Sequence, residues 1–201
     1  MNIEKLSILL VPLILFSMNA NAQEPKLEKA TFAGGCFWCM EPPYDKLEGV
    51  HKTIVGYTGG QKKNPTYQEV TTGTTGHAEA VEVYFDPSVI SYEKLVDTFW
   101  RNINPTTIDK QFADEGSQYR TAIFYHDEKQ KAIAEASKKK LEDSGKYKEP
   151  IVTQVVPAST FYPAEEYHQD YYQKNGLHYK MYRIGSGREG YLKKTWGDKS
   201  K

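Results

Sequence analysis

Two thiols three residues apart, Cys36 and Cys39, are the only cysteines in the chain, and both fall in GGCFWCMEPPY, residues 34–44. An apolar run (Ala30, Phe32, Ala33) leads into this stretch, and Gly34-Gly35 delivers the first thiol to a turn. A thiol attacks as thiolate, and its ordinary pKa of about 8.5 falls at a helix N-terminus, where unpaired backbone N–H groups favour negative charge. Strand, Gly-Gly, Cys and helix in succession build that environment. The expectation is a readily ionised Cys36, with Cys39 on the same side of the first helical turn. This is the pattern of redox-active cysteine chemistry.

Other readings of C-x-x-C are weighed by what they need. Heme attachment requires His after the second cysteine, and Met40 stands there. A zinc site needs two further ligands, and the histidines at 51, 77, 126, 168 and 178 show no H-x₃₋₅-H spacing. A structural disulfide across two residues removes little freedom from the unfolded chain, so it is a poor staple. A second signal is Glu79, which shares a strand face with Val81, Val83 and Phe85. A carboxyl there is either ion-paired or held protonated by desolvation, and a protonated one can serve as general acid. Phe37 and Trp38, between the sulfurs, form either core or an apolar wall for a small substrate group.

These residues need elements to hold them. Leu27 to Ala33 reads as a strand, Val50 to Tyr57 as a second and His77 to Phe85 as the clearest. Pro42-Pro43 leaves two options for the helix between the first two strands. Either a turn at Cys36 kinks into a helix, or the helix starts near Pro42 and runs to Leu47. Residues 61–76 form a long polar loop with a helical turn near Tyr67 to Val70. Ser91 caps a helix whose buried stripe is Tyr92, Leu95, Val96, Phe99, Trp100 and Ile103. A second polar loop spans 104–117. Gln118 to Tyr125 alternates as a strand, and Asp127 caps a helix to Ser144, stopped by Gly145. Ile151 to Val156 is a β-branched strand, Pro163 suits the first position of a helix to about Lys174, and the tail from Asn175 is aromatic and basic without period. Interleaved strands and helices indicate an α+β class.

In the 201-residue chain, 26 basic residues balance 26 acidic ones, which implies no general attraction to nucleic acid or an anionic membrane. Lys5, the apolar run Leu6 to Phe16 and Ala20-Asn21-Ala22 read as a signal peptide over residues 1–22, with one catalytic domain over 23–201. The run is too short for a permanent span, so no stable membrane insertion is expected after cleavage. The mature protein is expected to be exported, periplasmic or secreted.

Taken together, Gly34-Gly35-Cys36-Phe37-Trp38, Gly56-Tyr57-Thr58-Gly59-Gly60, Asn64-Pro65-Thr66-Tyr67, Gly76-His77-Ala78-Glu79-Ala80-Val81 and Gly116-Ser117-Gln118-Tyr119-Arg120 resemble the peptide methionine sulfoxide reductase A family. The resemblance covers nearly all of the expected mature chain. It implies a two-layer α+β sandwich with a ferredoxin-like core, a mixed sheet covered by helices. It also implies reduction of methionine S-sulfoxide, free or in oxidised proteins and peptides. Carried over, Cys36 corresponds to the nucleophile and Glu79 to the proton donor. Tyr67 and Tyr119 correspond to hydroxyls that hold the sulfoxide oxygen, Asp114 to an acidic site position, and Phe37 and Trp38 to the walls around the substrate methyl. The residues by themselves say nothing of Tyr67, Tyr119 or Asp114.

The resemblance implies no bound cofactor or metal, a thioredoxin-like or dithiol reductant, and a monomer. Many family members recycle through cysteines in the C-terminal tail; this tail has none, so Cys39 is the candidate resolving thiol. Helical neighbours three apart hold their Cβ atoms about 5–6 Å apart, whereas a disulfide wants about 3.5–4.5 Å. Closure therefore requires distortion near Pro42-Pro43. Two further readings stand beside this one. One is a general dithiol oxidoreductase of exported proteins; the other is a non-enzymatic domain for aromatic or methyl-bearing peptides.

Overall fold

The computed structural model describes residues 26–197, so the expected signal peptide lies outside the described residues. The chain runs β1 (Glu28–Gly34), α1 (Phe37–Asp45), β2 (Val50–Thr58), α2 (Tyr67–Thr71), β3 (Ala78–Phe85) and α3 (Tyr92–Trp100). It continues through β4 (Lys110–Gln111), β5 (Asp114–Glu115), β6 (Thr121–Tyr125), α4 (Glu128–Asp143), β7 (Gln154–Pro157) and β8 (Tyr162–Pro163). It ends in α5 (Tyr171–Lys174), α6 (Gly176–Gly185) and α7 (Arg188–Trp196). Among the described residues no helix is long and apolar enough to cross a membrane.

The main sheet has the order β7-β6-β1-β3-β2-β8, antiparallel throughout except for the parallel β6–β7 pair. Its centre, β6-β1-β3-β2, is built from two interlocked β-α-β units, β1-α1-β2 and β3-α3-β6. That is the ferredoxin-like arrangement, as expected. The alternation in β3 puts Val81, Val83 and Phe85 on the helix-covered face, where they join Phe32, Met40, Tyr44, Leu95, Val96, Phe99 and Ile103 in the main core. Small residues (Ala33, Ala78, Ala80, Ala122) line a second cluster with Phe124.

Local chemistry sets the helix ends. Ser91 accepts a hydrogen bond from the Lys94 N–H at 3.3 Å, and Asp127 accepts one from the Gln130 N–H at 2.8 Å. Ser144 closes α4, and Gly145 follows with a positive φ of 63°.

Three expectations are corrected. Pro163 does not begin a helix; it lies in β8 opposite Gly56, at the sheet edge, where a missing N–H costs nothing. The helix ending at Lys174 is confined to α5. The tail is not irregular: α6 and α7 fold back, although much of each helix's surface is exposed. Finally, the 104–117 loop contains the β4–β5 ribbon, and the strand expected from Gln118 begins at Thr121, after a 3₁₀ turn over Ser117–Tyr119.

The register carries the site. Phe32 of β1 pairs with Val81 of β3, so two residues on, Gly34 comes beside Glu79. The turn that leaves β1 therefore rises over that carboxyl. Gly35 has φ +81°, and a Cβ there would sit 2.5 Å from Gln111 Cβ and 2.9 Å from the Arg188 Nη2. Gly35→Ala should therefore lower stability by roughly 3 kcal/mol and the Tm by about 6–12 °C. Urea and thermal unfolding measure both; a loss under 1 kcal/mol would show that the turn can relax.

Candidate active site

Helix α1 starts directly after Cys36, so the first of the two options for this segment holds. Cys36 is the N-cap residue, and the Cys39 N–H donates to the Cys36 carbonyl at 3.0 Å. Pro42 and Pro43 lie inside the helix. Neither has an N–H, so the carbonyls of Trp38 and Cys39 lose their usual i+4 donors.

Glu79 is buried on β3, and the Phe37 N–H donates to its Oε2 at 3.0 Å. No ion pair reaches it among the described residues. Burial pushes the carboxyl up to about 8, against the Phe37 hydrogen bond, with Asp114 and Cys39 adding to the rise. Glu79 is thus neutral near pH 7.

The thiols differ from expectation. Burial pushes Cys36 well up; its hydrogen bond to Cys39 and the negative charge of Cys39, Glu79 and Asp114 act the same way. Cys39 falls to about 7, chiefly through the hydrogen bond from Cys36, helped by Arg188 and Arg183 against burial. Burial thus opposes charge at Cys36, while the two arginines favour it at Cys39. The reason is physical: the N-cap thiol is nearly sealed from water, with 6% exposure. Desolvation there outweighs the favourable helix terminus.

Phe37 is buried against Tyr57 and His168, with centroids 6.0 and 5.0 Å away. Trp38 lies flat on Tyr171 at 3.8 Å, and its indole N–H donates to His168 Nδ1 at 3.1 Å. Tyr67 starts α2 and packs on His168 at 4.4 Å. Its backbone N–H and the Tyr57 hydroxyl donate to the two oxygens of Glu165, each at 2.8 Å.

Tyr119 ends the 3₁₀ turn that Ser117 Oγ and Gln118 Nε2 tie to the Gly73 and Thr71 carbonyls, both at 3.2 Å. Both phenols are half-buried. Burial raises Tyr67 to about 12 and raises Tyr119 further, with Glu79 the next cause for each. Asp114 accepts from the Tyr182 hydroxyl at 2.5 Å; burial raises it, and that bond and Arg188 oppose the rise. The structure thus brings Cys36, Phe37, Trp38, Cys39, Tyr67, Glu79, Asp114 and Tyr119 into one neighbourhood.

Sequence reasoning missed His168, Tyr171 and Tyr182, which come from segments with no readable period. It also missed Gln111, whose buried amide accepts from the Asn104 N–H at 2.9 Å and donates to Thr107 Oγ1 at 2.8 Å, which fixes the loop bearing Asp114. No sequence signal marks a loop glutamine as buried.

This arrangement offers a sulfur nucleophile, a second sulfur one helical turn on, a neutral carboxylic acid, two phenols and an apolar wall. That set can protonate an oxygen while a thiolate attacks the atom bearing it. A family model described as peptide methionine sulfoxide reductase matches residues 28–200. The chain is 58% identical over 174 residues to the peptide methionine sulfoxide reductase MsrA of Bacillus licheniformis, covering 87% of this chain and 96% of that one. Among solved structures it resembles Mxr1 from Saccharomyces cerevisiae in reduced form, with TM-score 0.68, 36% identity and coverage of 75% of this chain and 86% of that one. A further match is Mxr1 in complex with Trx2, with TM-score 0.50, 29% identity and coverage of 72% and 84%.

The Glu79 assignment has a thermodynamic consequence. An unfolded glutamate ionises near 4.3, so a carboxyl raised to about 8 in the fold contributes stability that is complete below the lower value and lost as pH rises through the upper one. Glu41, raised by burial to about 8, acts in the same direction. Stability should therefore fall between pH 4.5 and 8. Glu79→Gln, which keeps an acceptor for the Phe37 N–H, should remove roughly 2–4 kcal/mol of that slope. Denaturant midpoints across pH measure it, and an unchanged slope would mean that Glu79 is ionised in the fold.

Proposed function

The chain belongs to the peptide methionine sulfoxide reductase family, whose members are oxidoreductases that reduce methionine sulfoxide, and on that premise we propose that Cys36 and Glu79 carry the reduction of methionine S-sulfoxide, free or in proteins. The observation that carries the assignment is the buried Glu79 carboxyl bound by the N–H of the residue after Cys36.

A sulfoxide oxygen leaves poorly until it is protonated, so attack at sulfur needs a neutral acid alongside. Glu79 supplies the proton. The Tyr67 and Tyr119 hydroxyls, both kept protonated, hold the oxygen as charge develops on it. Phe37 and Trp38 wall the methyl group, with Trp38 set by its bond to His168. Asp114, held by the Tyr182 hydroxyl, is the acidic group at the rim of this set.

Cys36 attacks as the thiolate. Sulfoxide and Cys36 thiol then give thioether and Cys36 sulfenic acid, the oxygen ending on Cys36. Cys39 attacks the Cys36 sulfur as thiolate, its proton joining the departing hydroxyl. Water leaves, and a Cys36–Cys39 disulfide remains, which an external dithiol returns to two thiols. The missing i+4 donors in α1 favour closure, because the turn that must distort is already weakened at Pro42-Pro43. Mxr1 has been crystallised with Trx2; for this chain a thioredoxin-like protein is the reductant we propose. The N-terminal segment read as a signal peptide supports an exported enzyme, and hence a reductant outside the cytoplasm.

Mass spectrometry after one equivalent of sulfoxide tests the scheme. The S epimer alone should be consumed, with one methionine and one disulfide formed per wild-type chain. Cys39→Ser should release one methionine and stop, carrying sulfenic acid at Cys36. Normal repeated turnover of that variant with a thioredoxin would remove Cys39 from the scheme. Glu79→Gln should slow methionine release by about 10²–10⁴. In the wild type that step should weaken as pH rises through about 8, where Glu79 loses its proton.

A further inference from the structure

Arg188 opens α7, far from every sequence motif, yet it is 1% exposed. Its Nη1 donates to the Asn102 carbonyl at 2.7 Å and its Nη2 to the Gly34 carbonyl at 2.9 Å. Nη1 also reaches Met40 Sδ at 3.5 Å, and the guanidinium lies over the Phe112 ring at 4.6 Å. Gly34 precedes the turn that bears Cys36, and Met40 follows Cys39. The cation therefore lies against the turn that precedes Cys36 and the side chain that follows Cys39. Among the described residues it forms no ion pair. Carbonyls and a ring satisfy its donors but do not cancel its charge, and a buried uncancelled charge acts strongly on what surrounds it.

We propose that Arg188 is a positioning residue for the closure step, holding the Gly34 turn and the start of α1 and placing a buried positive charge beside the turn that carries both thiols. This rests on the assignment of Cys39 as resolving thiol. Other groups act on Cys39 as well. Cys36 lowers it through its hydrogen bond, while Asp114 raises it and Glu79, when charged, opposes it too. The phenols of Tyr179 and Tyr182 face it from α6 and stay protonated. The other cation is Arg183, but its Nε lies 3.8 Å from Glu189, so much of its charge is met. Of the two arginines, Arg188 acts more strongly on Cys39.

The test separates the two chemical steps. Rapid-quench experiments with one equivalent of methionine S-sulfoxide follow methionine release and loss of both thiols across pH 5.5–9.5 in wild type, Arg188→Gln and Arg188→Lys. In Arg188→Gln, closure should slow at least ten-fold relative to methionine release, and its pH midpoint should rise by about one unit, which corresponds to about ten-fold less thiolate below the midpoint. Raising the pH should restore the rate, which a purely structural defect would not allow. Arg188→Lys keeps the charge, so its midpoint should stay within 0.5 unit of wild type (the precision expected of such profiles, roughly). If Arg188→Gln does not fold, the Lys variant decides alone: a retained midpoint supports the proposal and a shifted one overturns it. Equal slowing of both steps in either variant, or an Arg188→Gln profile that matches wild type, also overturns it and leaves Cys39 as resolving thiol intact. Absence of the disulfide in wild type would instead remove the assignment on which it rests.

Discussion

The hydrogen bond from the Phe37 N–H to Glu79 joins residues 42 apart in sequence, and the site depends on it. It fixes the acid one residue from the nucleophile and ties the start of α1 to β3. It also creates a contest between two effects. An N–H at a helix start favours a carboxylate, whereas burial disfavours it by as much as 3–5 pKa units in sealed sites. Burial wins, and the carboxyl rises to about 8. A second donor or an open path to water would reverse that outcome, and the acid would reach neutral pH already spent.

The rest of the structure serves this turn from three directions. Below it, the β1–β3 register sets Gly34 beside Glu79, so the sheet itself measures the separation of thiol and acid. To one side, Glu165 draws Tyr57 and Tyr67 together, and His168 fills the space between Phe37, Trp38 and Tyr67. From behind, the C-terminal helices bring Tyr171 onto Trp38, Tyr182 onto Asp114 and Arg188 onto the Gly34 carbonyl. A tail without cysteine is thus still part of the site, through rings and one cation.

The legible parts of this design were those set by local chemistry. Period-2 alternation exposed the face shared by Glu79 and Val81; Ser91 and Asp127 announced their helices; the Gly-Gly-Cys turn announced itself. Three things were not legible, each because a long-range effect overrode a local one. Pro163 looks like a helix start, but its partner is Gly56, more than 100 residues earlier. The tail's helices bury a few rings, Leu192 and one arginine, while the apolar Leu177, Met181 and Ile184 of α6 face outward, so the pattern does not mark the packed face. The environment of the sulfurs depends on how deeply the turn is buried and on Arg188. A rule about helix termini names the favourable effect and misses the desolvation that opposes it.

These opposed effects make chemical sense once the protons are followed. A thiolate permanently at Cys36 would face Asp114 and Glu79, and its charge would raise the cost of any approaching negative oxygen. Burial opposes charge on Cys36, while Arg188 and Arg183 favour it on Cys39. The same placement suits the later step. After oxygen transfer Cys36 carries no charge, and the sulfur that must attack it is the one the surroundings already ionise near neutral pH. In the proposed scheme Glu79 is neutral as the sulfoxide arrives, gives its proton to the oxygen, and stands as a carboxylate when Cys39 must lose its own proton. The site needs no second base.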